Sequence, residues 1–125
     1  MEAAQDTCPF CTCNEKIFES EYVYARFDKF PVSEGHAMVI TKRHVPSYFE
    51  ASKSEKSDIW QSVDRLKKIL EESFKPDAFN IGVNVGEAAG QTVPHLHVHV
   101  IPRYKGDIDD PTGGVRGVIP SKQKY

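Results

Sequence analysis

Residues 95 to 100 read HLHVHV, three histidines at strict two-residue spacing with leucine or valine between them. A helix would scatter these six side chains around its circumference, whereas a strand sends alternate side chains to opposite faces. The run therefore demands a sheet with an imidazole-bearing face and an aliphatic face, and the aliphatic face must be covered by another layer.

The cover is encoded between residues 54 and 75. Ile59, Val63, Leu66, Leu70 and Phe74 recur at three- and four-residue steps, which gives a long helix with one apolar and one charged side. Ser52 and Glu55 have the spacing of a capping box at its start, and Pro76 ends it. Before the helix, KIFESEYVYARFD alternates apolar and polar residues twice over, predicting two short strands with a break at residues 19 to 21. HAMVITK, residues 36 to 42, predicts a third strand, and in the RHVPS connection Ser47 is placed to cap a short helix. AFNIGVNVG (78 to 86) and HLHVHVIPRY (95 to 104) predict two more strands joined by the turning segment EAAGQTVP. Residues 105 to 125, rich in glycine, proline and charge, read as an irregular tail. The expected architecture is α+β: a five-stranded, mainly antiparallel sheet with one long helix and a short helix, in a single domain spanning residues 1 to 125.

Length and charge agree with one compact unit. The chain has 125 residues, 39% hydrophobic and 27% charged, with a net charge of −2, so there is no polybasic footprint and nucleic acid is not an expected partner. No apolar run approaches the ~20 residues of a membrane helix. MEAAQDTCPFC lacks the basic start and apolar stretch of a signal peptide, so a cytoplasmic location away from membranes is expected.

The three histidines, of five in the chain, are too many in one alternation for a merely polar strand face. On a strand, His95, His97 and His99 have Cα atoms about 7 Å apart in succession, within reach of one ion or one substrate. Neutral imidazole suits two chemistries. It binds zinc, and it attacks phosphorus near neutral pH and then leaves, dividing one difficult displacement into two easier ones. Attack on a phosphate also needs hydrogen-bond donors, which Gln91, Thr92, Asn84 and nearby backbone N–H groups offer. Separately, CPFC has the spacing of half a structural zinc site, or is a turn with two reduced thiols; Cys13 is a third thiol nearby.

HLHVHVI (95 to 101), GHAMVITKRH (35 to 44), NVGEAAGQTVPH (84 to 95) and IPRYKGD (101 to 107) together resemble, in the same order, the signatures of the histidine triad family of nucleotide hydrolases and transferases. The resemblance implies that His97 attacks an α-phosphate and carries the nucleotidyl group until water removes it, with His99 at the scissile bridge and His36 as a supporting fourth histidine. It further implies that Asp28 accepts from ribose hydroxyls, that Phe27 and Phe10 flank the base, and that Asn84, Gln91, Thr92 and the backbone near Val93 join His97 and His99 in holding the nucleotide. GQT followed by IPRYKGD is similar to the fragile-histidine-triad and bacterial dinucleoside polyphosphate hydrolase branch, which makes a diadenosine polyphosphate the expected substrate. Zinc-bearing members imply a structural zinc on Cys8, Cys11, His44 and His95, with residues 8 to 14 as a zinc-binding segment and no organic cofactor. Members are usually homodimers whose sheets join across a two-fold axis, which would bring the tail and its Arg116 near the partner's pocket.

Three rivals remain at this point. A nucleoside phosphoramidase would use the same pocket, and a nucleotide-binding protein would keep it while turning over slowly. A zinc-water metallohydrolase would use His95, His97 and one more residue as ligands to activate water and form no phosphorus–histidine bond.

Overall fold

The computed structural model describes residues 7 to 125. Five strands, β1 (Phe18–Glu19), β2 (Val23–Phe27), β3 (Ala37–Thr41), β4 (Ala78–Gly82) and β5 (His97–Arg103), form one sheet in the order β1-β2-β3-β5-β4. Every neighbouring pair is antiparallel, and the one long helix, α1 (Lys53–Phe74), lies across one face.

The α+β architecture follows the two periodicities. Val23 and Ala25 of β2, Ala37 and Val39 of β3, and Leu96, Val98 and Val100 meet Ile59, Val63, Leu66 and Leu70 of α1 in one buried cluster. Full burial of each such aliphatic side chain contributes about 1.5–3 kcal/mol before entropy is counted. The helix begins where the sequence marks it: Ser52 Oγ accepts from the Glu55 N–H at 3.0 Å, and the Glu55 carboxylate accepts from the Ser52 N–H at 2.8 Å. It ends at Lys75, which takes the left-handed conformation (φ 52°) immediately before Pro76.

Several boundaries differ from expectation. The strand expected over 78 to 86 stops at Gly82, and Asn84 lies in the loop beyond it. The strand expected from His95 starts at His97, because Pro94 turns the chain and the His95 N–H is committed to the Val93 carbonyl at 2.8 Å. In place of one short helix there are four 3-10 turns among the described residues: Tyr48–Glu50, capped by Ser47, then Glu87–Ala89, Gly114–Val118 and Pro120–Lys122. The tail is therefore less irregular than its composition suggests. Within it Arg116 donates to the carbonyls of Gln123 and Lys122 and lies over the Tyr125 ring.

The face opposite α1 carries the histidines. Ile40 is paired with His97 and Met38 with His99, and a second buried cluster of Cys8, Phe10, Tyr24, Met38 and Ile40 packs on this side. The cysteine-bearing segment thus roofs one end of the face and leaves the other end open.

Candidate active site and metal cluster

The open end is a cavity of about 400 Å³ lined by His97, His99 and His36, by Asp28 and Asn84, and by Phe10, Met38, Thr92 and Val93. β5 delivers His97 and His99 from alternate positions, and His36 stands at the entrance to β3, just after Gly35. Gly35 has φ +87°, and a Cβ there would lie 2.8 Å from the Phe74 ring. Glycine is thus required twice over, by backbone conformation and by helix contact.

Backbone partners assign the tautomers of His97 and His36, and His36 in turn assigns that of His99. His97 Nδ1 lies 2.8 Å from the His95 carbonyl, which can only accept, so Nδ1 carries the proton and Nε2 keeps its lone pair. The Val32 N–H donates to His36 Nδ1 at 3.1 Å, which leaves the His36 proton on Nε2. That Nε2–H donates to His99 Nδ1 at 2.9 Å, so the His99 proton sits on its Nε2. The result is one imidazole with an open lone pair beside one with an outward N–H.

Burial keeps this set neutral. It lowers the pKa of His97 and of His36, and it lowers that of His99 to about 4, where the neighbouring His97 and His36 push further down and Asp28 pulls only partly back. Asp28 holds its place through the Phe30 N–H, which donates to Oδ1 at 2.9 Å, while Oδ2 lies 3.4 Å from His36 Nε2 and 3.8 Å from His99 Nδ1. It is at once a turn residue and a cavity residue.

His95 faces elsewhere. Its Nε2–H donates to the Thr41 carbonyl at 2.7 Å, so Nδ1 is the nitrogen with the lone pair. Nδ1 lies 3.3 Å from Cys8 Sγ, 3.5 Å from Cys11 Sγ and 3.2 Å from His44 Nδ1, and Cys11 Sγ lies 3.1 Å from His44 Nδ1. A tetrahedral zinc with Zn–N ~2.0 Å and Zn–S ~2.3 Å needs its ligand atoms about 3.3–3.8 Å apart. All four ligand atoms converge within 4.8 Å, and the Cys₂His₂ donor set is one zinc favours, so the residues fit a structural zinc with no open coordination position.

Two residues expected at the nucleotide lie outside the cavity lining. Phe27 follows Val23 and Ala25 on the helix side of β2, and its ring packs edge-on against Phe74 at 6.0 Å, away from the cavity. Gln91 spends its side chain on the loop: Oε1 accepts from the Gly86 N–H, and Nε2 donates to the carbonyls of Pro46 and Val93. It braces the loop that carries Thr92 and Val93. Phe10 does stand in the cavity, 4.8 Å from the His97 ring. The sequence reading missed Arg26, Lys29, Phe30, Val32 and Met38, which also line it. Arg26 was legible in principle, since it occupies the opposite parity to Val23 and Ala25 on β2 and therefore shares the histidine face.

The model of the HIT domain family matches residues 12–106. A bis(5'-adenosyl)-triphosphatase of Dictyostelium discoideum is 38% identical over 97 residues, covering 78% of this chain and 65% of that protein. An asymmetrical bis(5'-nucleosyl)-tetraphosphatase of Schizosaccharomyces pombe is 44% identical over 80 residues, covering 64% of this chain and 44% of that one. The chain thus spans less than two-thirds of either relative. Among solved structures, a zinc-bound histidine triad family protein from Mycobacterium smegmatis superposes with a TM-score of 0.74 at 31% identity, over 81% of this chain and 78% of that chain.

Proposed function

The chain belongs to the HIT domain family, and from that membership and the cavity geometry we propose that it hydrolyses dinucleoside polyphosphates through a nucleotidyl intermediate on His97. The observation that carries the proposal is the pairing of tautomers: a lone pair on His97 Nε2 beside an N–H on His99 Nε2, each set by a partner on the ring's other nitrogen.

In the first step His97 Nε2 attacks the α-phosphorus and the bond to the bridging oxygen breaks. The electron pair leaves with that oxygen as a phosphate anion under a hydrogen bond from His99 Nε2–H. The imidazole then bears a positive charge, and its Nδ1–H remains bonded to the His95 carbonyl, which stabilises that charge. In the second step water attacks phosphorus, the P–N bond breaks with its electron pair returning to Nε2, and the water proton passes to solvent. His36 holds the His99 tautomer and acts through it as a positioning residue. In this reading Asp28 accepts from ribose hydroxyls, and Asn84, Thr92 and the backbone near Val93 hold phosphate oxygens; that all four residues line the cavity supports it.

Cys8, Cys11, His44 and His95 would hold the zinc. When bound, it supplies a structural cross-link between the N-terminal segment, the start of the Val45 connection and the approach to β5. The names of the relatives support the substrate class, and the family resemblance supports a homodimer.

The test is turnover of diadenosine tri- and tetraphosphate and of a nucleoside phosphoramidate by wild type and His97→Ala. Cleavage of a dinucleotide by wild type, its loss in His97→Ala, and an acid-labile nucleotidyl adduct trapped on wild type are expected. Absence of cleavage of every substrate overturns the hydrolase reading, and cleavage without a phosphorus–histidine adduct favours direct attack by water.

A further inference from the structure

We propose that Arg26 reads the base of the bound nucleotide and selects guanine over adenine, an inference that rests on the hydrolase reading for where the phosphate and ribose lie.

Arg26 is a charged side chain only 6% exposed, and no carboxylate lies within ion-pair distance of it among the described residues. Its Nε donates to the Phe27 carbonyl at 3.1 Å, and Nη1 makes a long contact of 3.5 Å to the Cys13 thiol. Nη2 has no acceptor among the described residues. No buried side-chain nitrogen or oxygen lacks a partner among the described residues, so Nη2 is reached by solvent, and the opening that Arg26 lines is the histidine cavity. A guanidinium largely withdrawn from water, with no counter-charge among the described residues, is costly to hold, and a ligand that brings acceptors to the solvent-reached Nη2 offsets that cost.

The position decides which part of the ligand this is. Arg26 is paired with Met38, and Met38 with His99, so Arg26 stands two strands, roughly 10 Å, from the reacting end of the cavity. It is two residues before Asp28, the expected ribose partner. A nucleotide with its α-phosphate at His97 and its ribose at Asp28 therefore directs its base toward Arg26, between the buried apolar side chains of Phe10 and Met38.

The chemistry decides which base. Guanine presents O6 and N7 as adjacent acceptors, which match the end-on donor pair of Nη2 and the second Nη1 hydrogen, the first being turned to Cys13; adenine presents N7 beside an N6 amino donor, which opposes donor to donor.

The experiment is equilibrium binding of GMP, IMP, AMP and inorganic phosphate to the full chain, wild type, Arg26→Leu and Arg26→Lys, with thermal melts confirming that each variant is folded. Inosine keeps O6 and N7 but lacks the 2-amino group, so IMP isolates the edge that Arg26 reads. GMP and IMP are expected to bind wild type at least tenfold more tightly than AMP, about 1.4 kcal/mol. Arg26→Leu is expected to collapse that ratio to within about twofold, with Arg26→Lys between, because a point charge lacks the fork. Equal or stronger binding of AMP by wild type overturns the inference. So does a ratio that survives Arg26→Leu, or an equal weakening of all three nucleotides and phosphate, which would make Arg26 a phosphate contact. Binding needs no turnover, so failure of the hydrolase reading appears separately, as the absence of cleavage with the binding ratio intact.

Discussion

If Cys8, Cys11, His44 and His95 hold zinc as proposed, its removal is expected to destabilise the chain far more than it slows chemistry. An ion held only by the folded state adds RT ln(1 + [M]/Kd), about 4 kcal/mol at a thousandfold excess of free metal over Kd. Unfolding entropy of ~2.1 cal/mol/K per residue gives a 125-residue chain about 0.26 kcal/mol/K, so that loss lowers Tm by about 16 °C. The assay is metal content by elemental analysis, then thermal unfolding with and without chelator, alongside turnover measured well below both midpoints. A drop of this order, reversed by zinc and absent in a Cys8→Ser, Cys11→Ser double variant, is expected, with turnover falling less than about tenfold. Two results refute the reasoning: a Tm indifferent to chelation in a protein that does contain zinc, and complete loss of turnover at a temperature where the chelated chain remains folded. The second would move the metal from structure to catalysis.

Stability should fall as pH drops from about 6.5 toward 4, because the unfolded chain protonates His99 there while the folded chain, with that pKa at about 4, does not; the slope contributed is up to ~1.4 kcal/mol per pH unit, and comparing urea melts of wild type and His99→Gln isolates it. Gly35→Ala is expected to cost at least about 1–2 kcal/mol for its positive φ alone, with the Phe74 contact adding to it, read as a lowered urea midpoint. Glu55→Ala removes the capping box and the partner of Arg43, bonded at 2.7 Å and 3.1 Å, and should cost about 2–3 kcal/mol in the same assay, whereas a loss under 0.5 kcal/mol would show that these buried contacts contribute little.

Periodicity made the layers legible. The helix, its capping box and the aliphatic face of the sheet are each repeated patterns, and a repeated pattern outweighs any one residue. The same patterns are silent about loops, where each side chain answers to a local set of donors and acceptors. Gln91 illustrates this: its type suits a phosphate, but both of its amide donors go to the carbonyls of Pro46 and Val93, and its oxygen accepts from the Gly86 N–H. Phe27 and Arg26 teach a different lesson. Their parity on β2 was visible in the sequence, but an arginine in an alternating strand reads as a solvent-facing residue until the Cys8 to Cys13 segment is seen to cover that face.

In the proposed reading, that segment also links the structural metal to the nucleophile. One residue, His95, joins the two: its Nδ1 faces the cysteines and His44, and its carbonyl holds the His97 Nδ1 proton. The Thr41 carbonyl fixes the same ring from the other side. Anchoring the His95 side chain at both nitrogens immobilises its backbone, and an immobile carbonyl is what keeps His97 in the tautomer with Nε2 free. A metal at this cluster would therefore influence the reaction only by positioning, which is why its removal is expected to affect folding strongly and turnover weakly. The alternation of HLHVHV supplies three imidazoles along one direction, and their different hydrogen-bond partners give them different work.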